Sequence, residues 1–305
     1  WGGGEPGGGG DVVGRGGGLR RGGGGGGAAT DLTGTYSTAD GGPPAVAPSC
    51  LLGFFSSIER LLDHSGASGG GAGGGLGLLA GREVFIDGTI DASGSDDGEL
   101  GGTVKVLGDK FGLFGSARID ASGDAGGGEI LVGGNMLGQG PEQNASQVVV
   151  STTALINADA LTDGDGGRII VWSDNYTGFF GNIKARGGAT GGDGGCIETS
   201  SKGHLVVEGG VDASAAAGDG GEWLLDPRNI IIAGADNATT NDNGAPNTFT
   251  ANNADVVAVS TIDAATINGV LDAGTDVTSS TAGGGADNGN ITVNNAIGKT
   301  GGGNA

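Results

Sequence analysis

A Gly-Gly pair recurs through the middle of the chain and constrains the fold more than any other feature. Short stretches of alternating apolar and polar residues follow most of the pairs, as in Thr103-Val104-Lys105-Val106 and Glu129-Ile130-Leu131-Val132, and predict short strands with one apolar face. A unit this short cannot bury that face alone, so successive units must stack. The six pairs are spaced by 27, 26, 39, 28 and 26 residues and begin at Gly74, Gly101, Gly127, Gly166, Gly194 and Gly220.

A second alternating phrase precedes the next glycine pair in most units, for example Ile90-Asp91-Ala92-Ser93-Gly94 and Ile119-Asp120-Ala121-Ser122-Gly123. The two phrases together predict an all-β fold, a right-handed parallel β-helix with coils of about 27 residues over residues 74–232. At a strand spacing of about 4.8 Å, six coils would form a rod on the order of 30 Å long. Stacked aliphatic ladders fit a chain with 36% hydrophobic but only 4% aromatic residues.

The 39-residue unit contains an insertion, which we assign to Gly138-Gln139-Gly140-Pro141-Glu142-Gln143-Asn144. A loop that leaves one corner of a solenoid does not disturb the stack, and such loops often carry binding residues. A neutral surface excursion is the alternative.

Residues 1–73 precede the repeat and are Gly-rich, a low-complexity composition that predicts disorder. Within them, apolar residues at helical spacing predict a short amphipathic helix over residues 51–63. That helix would cover the end of the rod or bind a partner. A shifted reading frame in GC-rich DNA is a third explanation of the Gly-rich composition.

The coils are expected to end or change type between Trp223 and Ile232, where Pro227 would interrupt a ladder of hydrogen bonds. Residues 233–305 are predicted to form a polar linker and further, looser coils. Four strand phrases support those coils: Val256–Val259, Ala265–Ile267, Thr275–Thr278 and Asn290–Val293.

Charge narrows the range of partners. The chain has 35 acidic and 14 basic residues and a formal net charge of −21, so it repels nucleic-acid backbones, and nucleic acid is not an expected partner. No apolar run approaches the roughly 20 residues that a spanning helix needs, so no membrane span is expected. Cys50 and Cys196 indicate neither a disulfide framework nor a metal-type spacing.

Metal and catalytic candidates are few. Asp124, Asp165, Asp193 and Asp219 lie at glycine turns and would form a column of carboxylates at one corner of the stack, a candidate for weak calcium binding. Calcium-binding β-rolls use a much shorter nine-residue repeat, so solvated turn aspartates are the alternative. We expect no cofactor.

Catalysis is not predicted, since the adjacent pair Asp96-Asp97 has no clustered His or Arg, and His64 and His204 lie far apart in sequence. One cluster of aromatic residues is consistent with a sugar-stacking patch or with core packing: Trp172, Tyr176, Phe179 and Phe180.

The repeat region resembles that of filamentous haemagglutinin-type proteins, the large exoproteins of two-partner secretion in Gram-negative bacteria. The resemblance covers residues of about 74–305 and rests on four phrases: Val84–Gly94, Ala117–Gly128, Asp163–Trp172 and Leu224-Leu225-Asp226-Pro227.

The resemblance implies a secreted or cell-surface protein that is exported through an outer-membrane transporter partner. It also implies a role in adhesion or aggregation, with glycans of host cells, neighbouring cells or surfaces as ligands. We therefore expect a non-enzymatic stalk segment of an adhesin-like surface protein. A β-helical carbohydrate-active enzyme or carbohydrate-binding module is the alternative, because parallel β-helices also host enzymes that cleave polysaccharides.

Overall fold

The computed structural model describes residues 30–33, 51–55, 59–65, 75–80, 83–234, 260–281 and 289–300. Strands dominate these residues and are connected mostly by short turns. The strands are β1 (Thr30–Thr33), β2 (Leu51–Phe55), β3 (Glu59–Ser65), β4 (Gly75–Ala80), β5 (Glu83–Asp91), β6 (Thr103–Leu107), β7 (Lys110–Leu113), β8 (Arg118–Asp120), β9 (Glu129–Val132), β10 (Gln147–Val150), β11 (Leu155–Asn157), β12 (Arg168–Ser173), β13 (Tyr176–Phe179), β14 (Asn182–Lys184), β15 (Cys196–Ser201), β16 (His204–Val207), β17 (Gly210–Asp212), β18 (Glu222–Leu225), β19 (Ile230–Ala233), β20 (Ser260–Asp263), β21 (Asp276–Ser279) and β22 (Ile291–Val293). The helix α1 spans Ala264–Asp272, and a 3₁₀ turn spans Met136–Gly138.

The strands form two long parallel sheets. One sheet has eight strands in the order β2-β4-β6-β9-β12-β15-β18-β21, and the other has fourteen. From β6 to β17, each coil gives one strand to the eight-stranded sheet and two to the fourteen-stranded sheet, and each strand pairs with its equivalent one coil away. The predicted stacking of repeat units is confirmed, and the arrangement is compatible with a parallel β-helix.

Aliphatic ladders fill the space between the sheets. Ile156 of β11 lies opposite Ile119 of β8 and Ile183 of β14, and all three side chains are buried. Since every repeat places an aliphatic residue at this position, stacking alone assembles a continuous core. The aspartate that follows has a local role, because the Asp120 carboxylate accepts the backbone N–H of Ser122 at 3.0 Å.

The glycine pairs form a tight corner that leads into the eight-stranded sheet. The backbone N–H of Gly167 donates to the carbonyl of Ala158 within the same coil at 2.7 Å. A Cβ atom on Gly166 would overlap the carbonyl oxygen of Ala185 in the next coil, and one on Gly167 would overlap that of Gly128 in the preceding coil. Close approach between neighbouring coils therefore explains the period of the Gly-Gly pairs.

The helix predicted over residues 51–63 is wrong. This segment contains β2 and β3, which pair in parallel with β4 and β5. Pairing with an adjacent coil provides a ladder of backbone hydrogen bonds that outweighs a local helical pattern. The disorder predicted for residues 1–73 otherwise falls outside the described residues, although strand β1 within this segment pairs with β3.

In the last coils, a helix replaces one of the predicted strands. The strand predicted at Ala265–Ile267 is wrong, because these residues lie in α1, whose N-terminus is capped by Asp263 through a 3.0 Å bond from the N–H of Ala265. Ile267 and Val270 are buried in the core. The predictions at Thr275–Thr278 and Asn290–Val293 correspond to β21 and β22, whereas Val256–Val259 lies outside the described residues.

Near this end, the order of strands in the fourteen-stranded sheet also departs from their order in the chain. Strand β20 lies between β16 and β19, although it follows β19 in sequence, and β22 pairs with the other edge of β19. In the described part of the chain, no helix is long and apolar enough to cross a membrane.

Candidate functional site

Residues 133–146, named here the insertion loop, connect β9 to β10, whereas two residues connect the equivalent strands in the coils on either side. The loop lies where the lengthened repeat unit predicts an insertion. It covers the outer face of the eight-stranded sheet, where Met136 packs against Leu131, Ile170 and Trp172. This small apolar cluster is separate from the main core, and it fixes the loop on the sheet.

Polar contacts hold the base of the insertion loop. Glu142 accepts a hydrogen bond from the Lys105 Nζ atom at 2.7 Å and one from the Asn135 Nδ2 atom at 2.5 Å. These two bonds lower the pKa of Glu142, and the bond from Lys105 has the larger effect. Asn144 donates to the carbonyl of Gly138 at 3.0 Å and so closes the loop on itself. The loop is therefore tied to a strand of the preceding coil.

The tip of the loop contacts a buried acid. Leu137 has φ 58° and ψ 19°, and it is the one described non-glycine residue in the left-handed region. This conformation directs its N–H to the Glu198 carboxylate, with N–O distances of 3.2 and 3.0 Å. A left-handed non-glycine residue costs on the order of 1–3 kcal/mol, so the surrounding contacts must hold it in place.

Glu198 lies on β15 and is fully buried. Burial raises its pKa to about 7, and the nearby Asp226 carboxylate adds to this effect. Hydrogen bonds from Leu137 and Ser200 and the charge of Arg168 oppose the rise. A carboxyl group poised near neutrality is a feature that functional sites share.

Asp226 follows strand β18 and is also fully buried. Its backbone N–H donates to the Ser200 Oγ atom at 3.0 Å. Neither of its carboxylate oxygens has a hydrogen-bond partner. Glu198 and Asp226, which we name the acid pair, thus bring two enclosed carboxyl groups to the outer side of the eight-stranded sheet.

The turn aspartates are only partly brought together. The Asp165 carboxylate accepts the backbone N–H of Asp193 at 2.8 Å, and the Asp193 carboxylate accepts that of Asp219 at the same distance. Asp124 lies outside this ladder, and its carboxylate accepts the N–H of Gly98 at 2.8 Å. Among the described residues, no group of three or more His, Cys, Asp or Glu side chains is placed to hold a metal ion. The ladder therefore links successive coils, and calcium binding there stays a prediction.

The other residues that the sequence suggests as site residues do not form a common site. Three of the aromatic side chains, Trp172, Phe179 and Phe180, are buried and present no open sugar-stacking surface. The ring of Tyr176 stacks on that of His204 with 5.9 Å between centroids. Asp96 and Asp97 lie in an exposed turn, and His64 lies in β3.

Sequence reasoning missed the acid pair. A signal was present, because the position of Glu198 holds leucine or isoleucine in the coils at Leu131, Ile170 and Leu224. The column continues to the polar residues Lys105 and Thr278, so the signal is an acid whose direct neighbours in the adjacent coils are apolar.

Comparison with known proteins does not assign a family. No protein-family model matches the chain, and a search of curated proteins finds no match.

Proposed function

We propose that the chain is a structural stalk segment of a secreted bacterial surface protein of adhesin type. The observation that carries the proposal is the in-register stacking of successive coils, from β2 through β21 in the eight-stranded sheet. Seven strand intervals at about 4.8 Å give this sheet a length of about 34 Å. Each added coil lengthens the stack, and the parallel ladders of backbone hydrogen bonds make it stiff.

We infer a right-handed winding for the coils. Parallel strands that are joined by crossovers within one sheet are right-handed in about 98% of cases, because the strand twist favours that sense. The ladder of Ile119, Ile156 and Ile183 on the third strand of each coil is consistent with regular winding.

The resemblance to filamentous haemagglutinin-type proteins supports the remainder of the proposal. It suggests export through an outer-membrane transporter partner and a location outside the cell or at its surface. Adhesion or aggregation would then depend on glycan-binding regions that the stalk holds away from the membrane. The large negative charge of the chain is consistent with a hydrated surface protein.

One observation favours the carbohydrate-binding alternative. A shallow groove runs along the glycine corner, and its lining includes Asp165, Asp193, Asp219, Glu129 and Glu222. Carboxylates that line a groove are the kind of groups that glycosidases use. This alternative predicts saturable binding of a glycan or release of reducing sugar.

A coil deletion tests the stalk. Removing residues 102–127 joins Gly101 to Gly128 and deletes one repeat unit. We expect a folded protein whose rod is shorter by about 4.8 Å, as measured by small-angle X-ray scattering against the full chain. Deleting half a unit, residues 115–127, is the control, because it breaks the register and should abolish cooperative unfolding.

A glycan array and a reducing-sugar assay on the full chain test the alternative. The stalk proposal predicts no saturable glycan binding and no product. Specific glycan binding or sugar release that is lost in Asp193→Asn would contradict the stalk proposal and support a carbohydrate-active protein.

A further inference from the structure

The Asp226 carboxylate lacks the partner that a buried charge requires. The side chain is 0% exposed, and neither oxygen accepts a hydrogen bond. An ionised carboxylate enclosed without a hydrogen bond or a counter-charge is strongly unfavourable. A bound cation would remove this cost.

A second buried carboxylate lies beside it. Glu198 is opposite Leu224 in the parallel pairing of β15 with β18, and Asp226 directly follows the last residue of β18, two residues beyond Leu224. The Asp226 carboxylate lies close enough to Glu198 to raise the pKa of that side chain. Ser200 contacts both acids, since its Oγ atom accepts the N–H of Asp226 and its side chain hydrogen-bonds Glu198.

The insertion loop closes the site from outside. The N–H of Leu137 donates to Glu198, and Met136 covers the apolar cluster beside it. The guanidinium of Arg168, whose charge acts on Glu198, also ion-pairs with Glu129 at 3.6 Å. The Glu198 carboxyl group is thus enclosed under the loop, and the positive charge of Arg168 is shared with another acid.

We propose that Glu198 and Asp226 together bind a divalent cation, Ca²⁺, beneath the insertion loop. Carboxylate oxygens are hard ligands, and Ca²⁺ accepts six to eight oxygen ligands in irregular geometries. The two charges of the ion balance those of the acid pair.

This site differs from the aspartate ladder at the glycine corner. There, the Asp165 and Asp193 carboxylates each accept a backbone N–H from the next coil and are open to solvent. The unpaired and enclosed carboxylate is that of Asp226, so the ion belongs at the acid pair. The inference does not depend on the stalk function.

Calorimetric titration of the chelator-treated full chain with CaCl₂ tests the site. We expect one ion per chain and a higher melting temperature when Ca²⁺ is present. Asp226→Asn preserves the shape of the side chain and should reduce Ca²⁺ affinity at least about tenfold. Glu198→Gln should also reduce it, and Asp193→Asn is the matched control that should leave it unchanged.

Two results would overturn the proposal. Retention of full affinity by Asp226→Asn, together with its loss in Asp193→Asn, would place the ion at the glycine corner. Absence of Ca²⁺ binding to the wild-type chain, with unchanged melting of Asp226→Asn in chelator, would show that the acid pair needs no ion. A failure of the stalk proposal would instead show in the scattering data from the coil deletion.

Discussion

Glu198 accepts the backbone N–H of Leu137 on both carboxylate oxygens, at 3.2 and 3.0 Å, across 61 residues of sequence. The contact ties the insertion loop of one coil to a strand two coils further along the stack. Strand β12, with Ile170 and Trp172, lies between them. The loop therefore acts as a clamp over three successive coils.

Gly138→Ala should release this clamp. Gly138 has φ +62°, and a Cβ there would overlap the Trp172 ring. The left-handed backbone costs about 1–2 kcal/mol for alanine, and the clash adds to it. We expect lower stability in urea and a red shift of tryptophan emission.

Gly115→Ala is the control for the Gly138 prediction. Gly115 has φ +59°, and the nearest atom to its added Cβ is the Asp87 Cβ at 3.9 Å. Gly115→Ala should therefore lose stability because of the left-handed backbone, but it should show no red shift of tryptophan emission. Equal urea midpoints for the two variants would contradict a clash with Trp172.

Gly194→Ala should weaken the glycine corner. The added Cβ would overlap the carbonyl oxygen of Ala213 and the amide nitrogen of Gly221, and both are backbone atoms that cannot rotate away. Overpacking of this kind costs about 1–3 kcal/mol or more. Chemical unfolding should show the loss, whereas Gly298→Ala, with no atom within 4 Å of its added Cβ, should change stability by less than about 0.5 kcal/mol.

Gly269→Ala should stabilise the protein. Gly269 lies inside α1 and is exposed, and its added Cβ meets no atom within 4 Å. Alanine in a helix interior is favoured over glycine by about 0.5–1 kcal/mol. The melting temperature should rise, and a decrease would contradict the helical assignment that replaced the predicted strand.

Asp120 should contribute a pH-dependent part of the stability. Burial opposes its ionisation, but hydrogen bonds from Arg118 and Ser122 outweigh burial and lower its pKa. Because the folded-state pKa is depressed, the stabilisation is present above the unfolded pKa of about 3.9 and is lost as pH falls through the folded value. Asp120→Asn should be less stable than wild type at pH 7.

The stability difference between wild type and Asp120→Asn should shrink as pH is lowered from about 5. Urea unfolding at a series of pH values measures it. A difference that stays constant down to the acid-unfolding range would show that the Arg118 contact adds nothing to the free energy of unfolding.

Periodicity made the stack predictable, since every coil repeats the same alternation around Ile119, Ile156 and Ile183. The strands near residue 51 were missed because their pairing partners, not their local spacing, determine their conformation. The helix α1 was missed because its residues lie outside the repeat. The acid pair was missed although Glu198 lies between apolar residues of the adjacent coils, because its contact with the insertion loop spans 61 residues of sequence.

Strand β20 inserts between β16 and β19, which precede it in the chain. Up to β18, each newly added coil can lie on the one made before it, so assembly can follow the direction of synthesis. Strand β19 gains its partner on that side only after residue 260 has emerged, and its other edge pairs with β22. The growing stack thus ends in an interlocked group of strands that must close together, which gives the otherwise incremental assembly a cooperative last step.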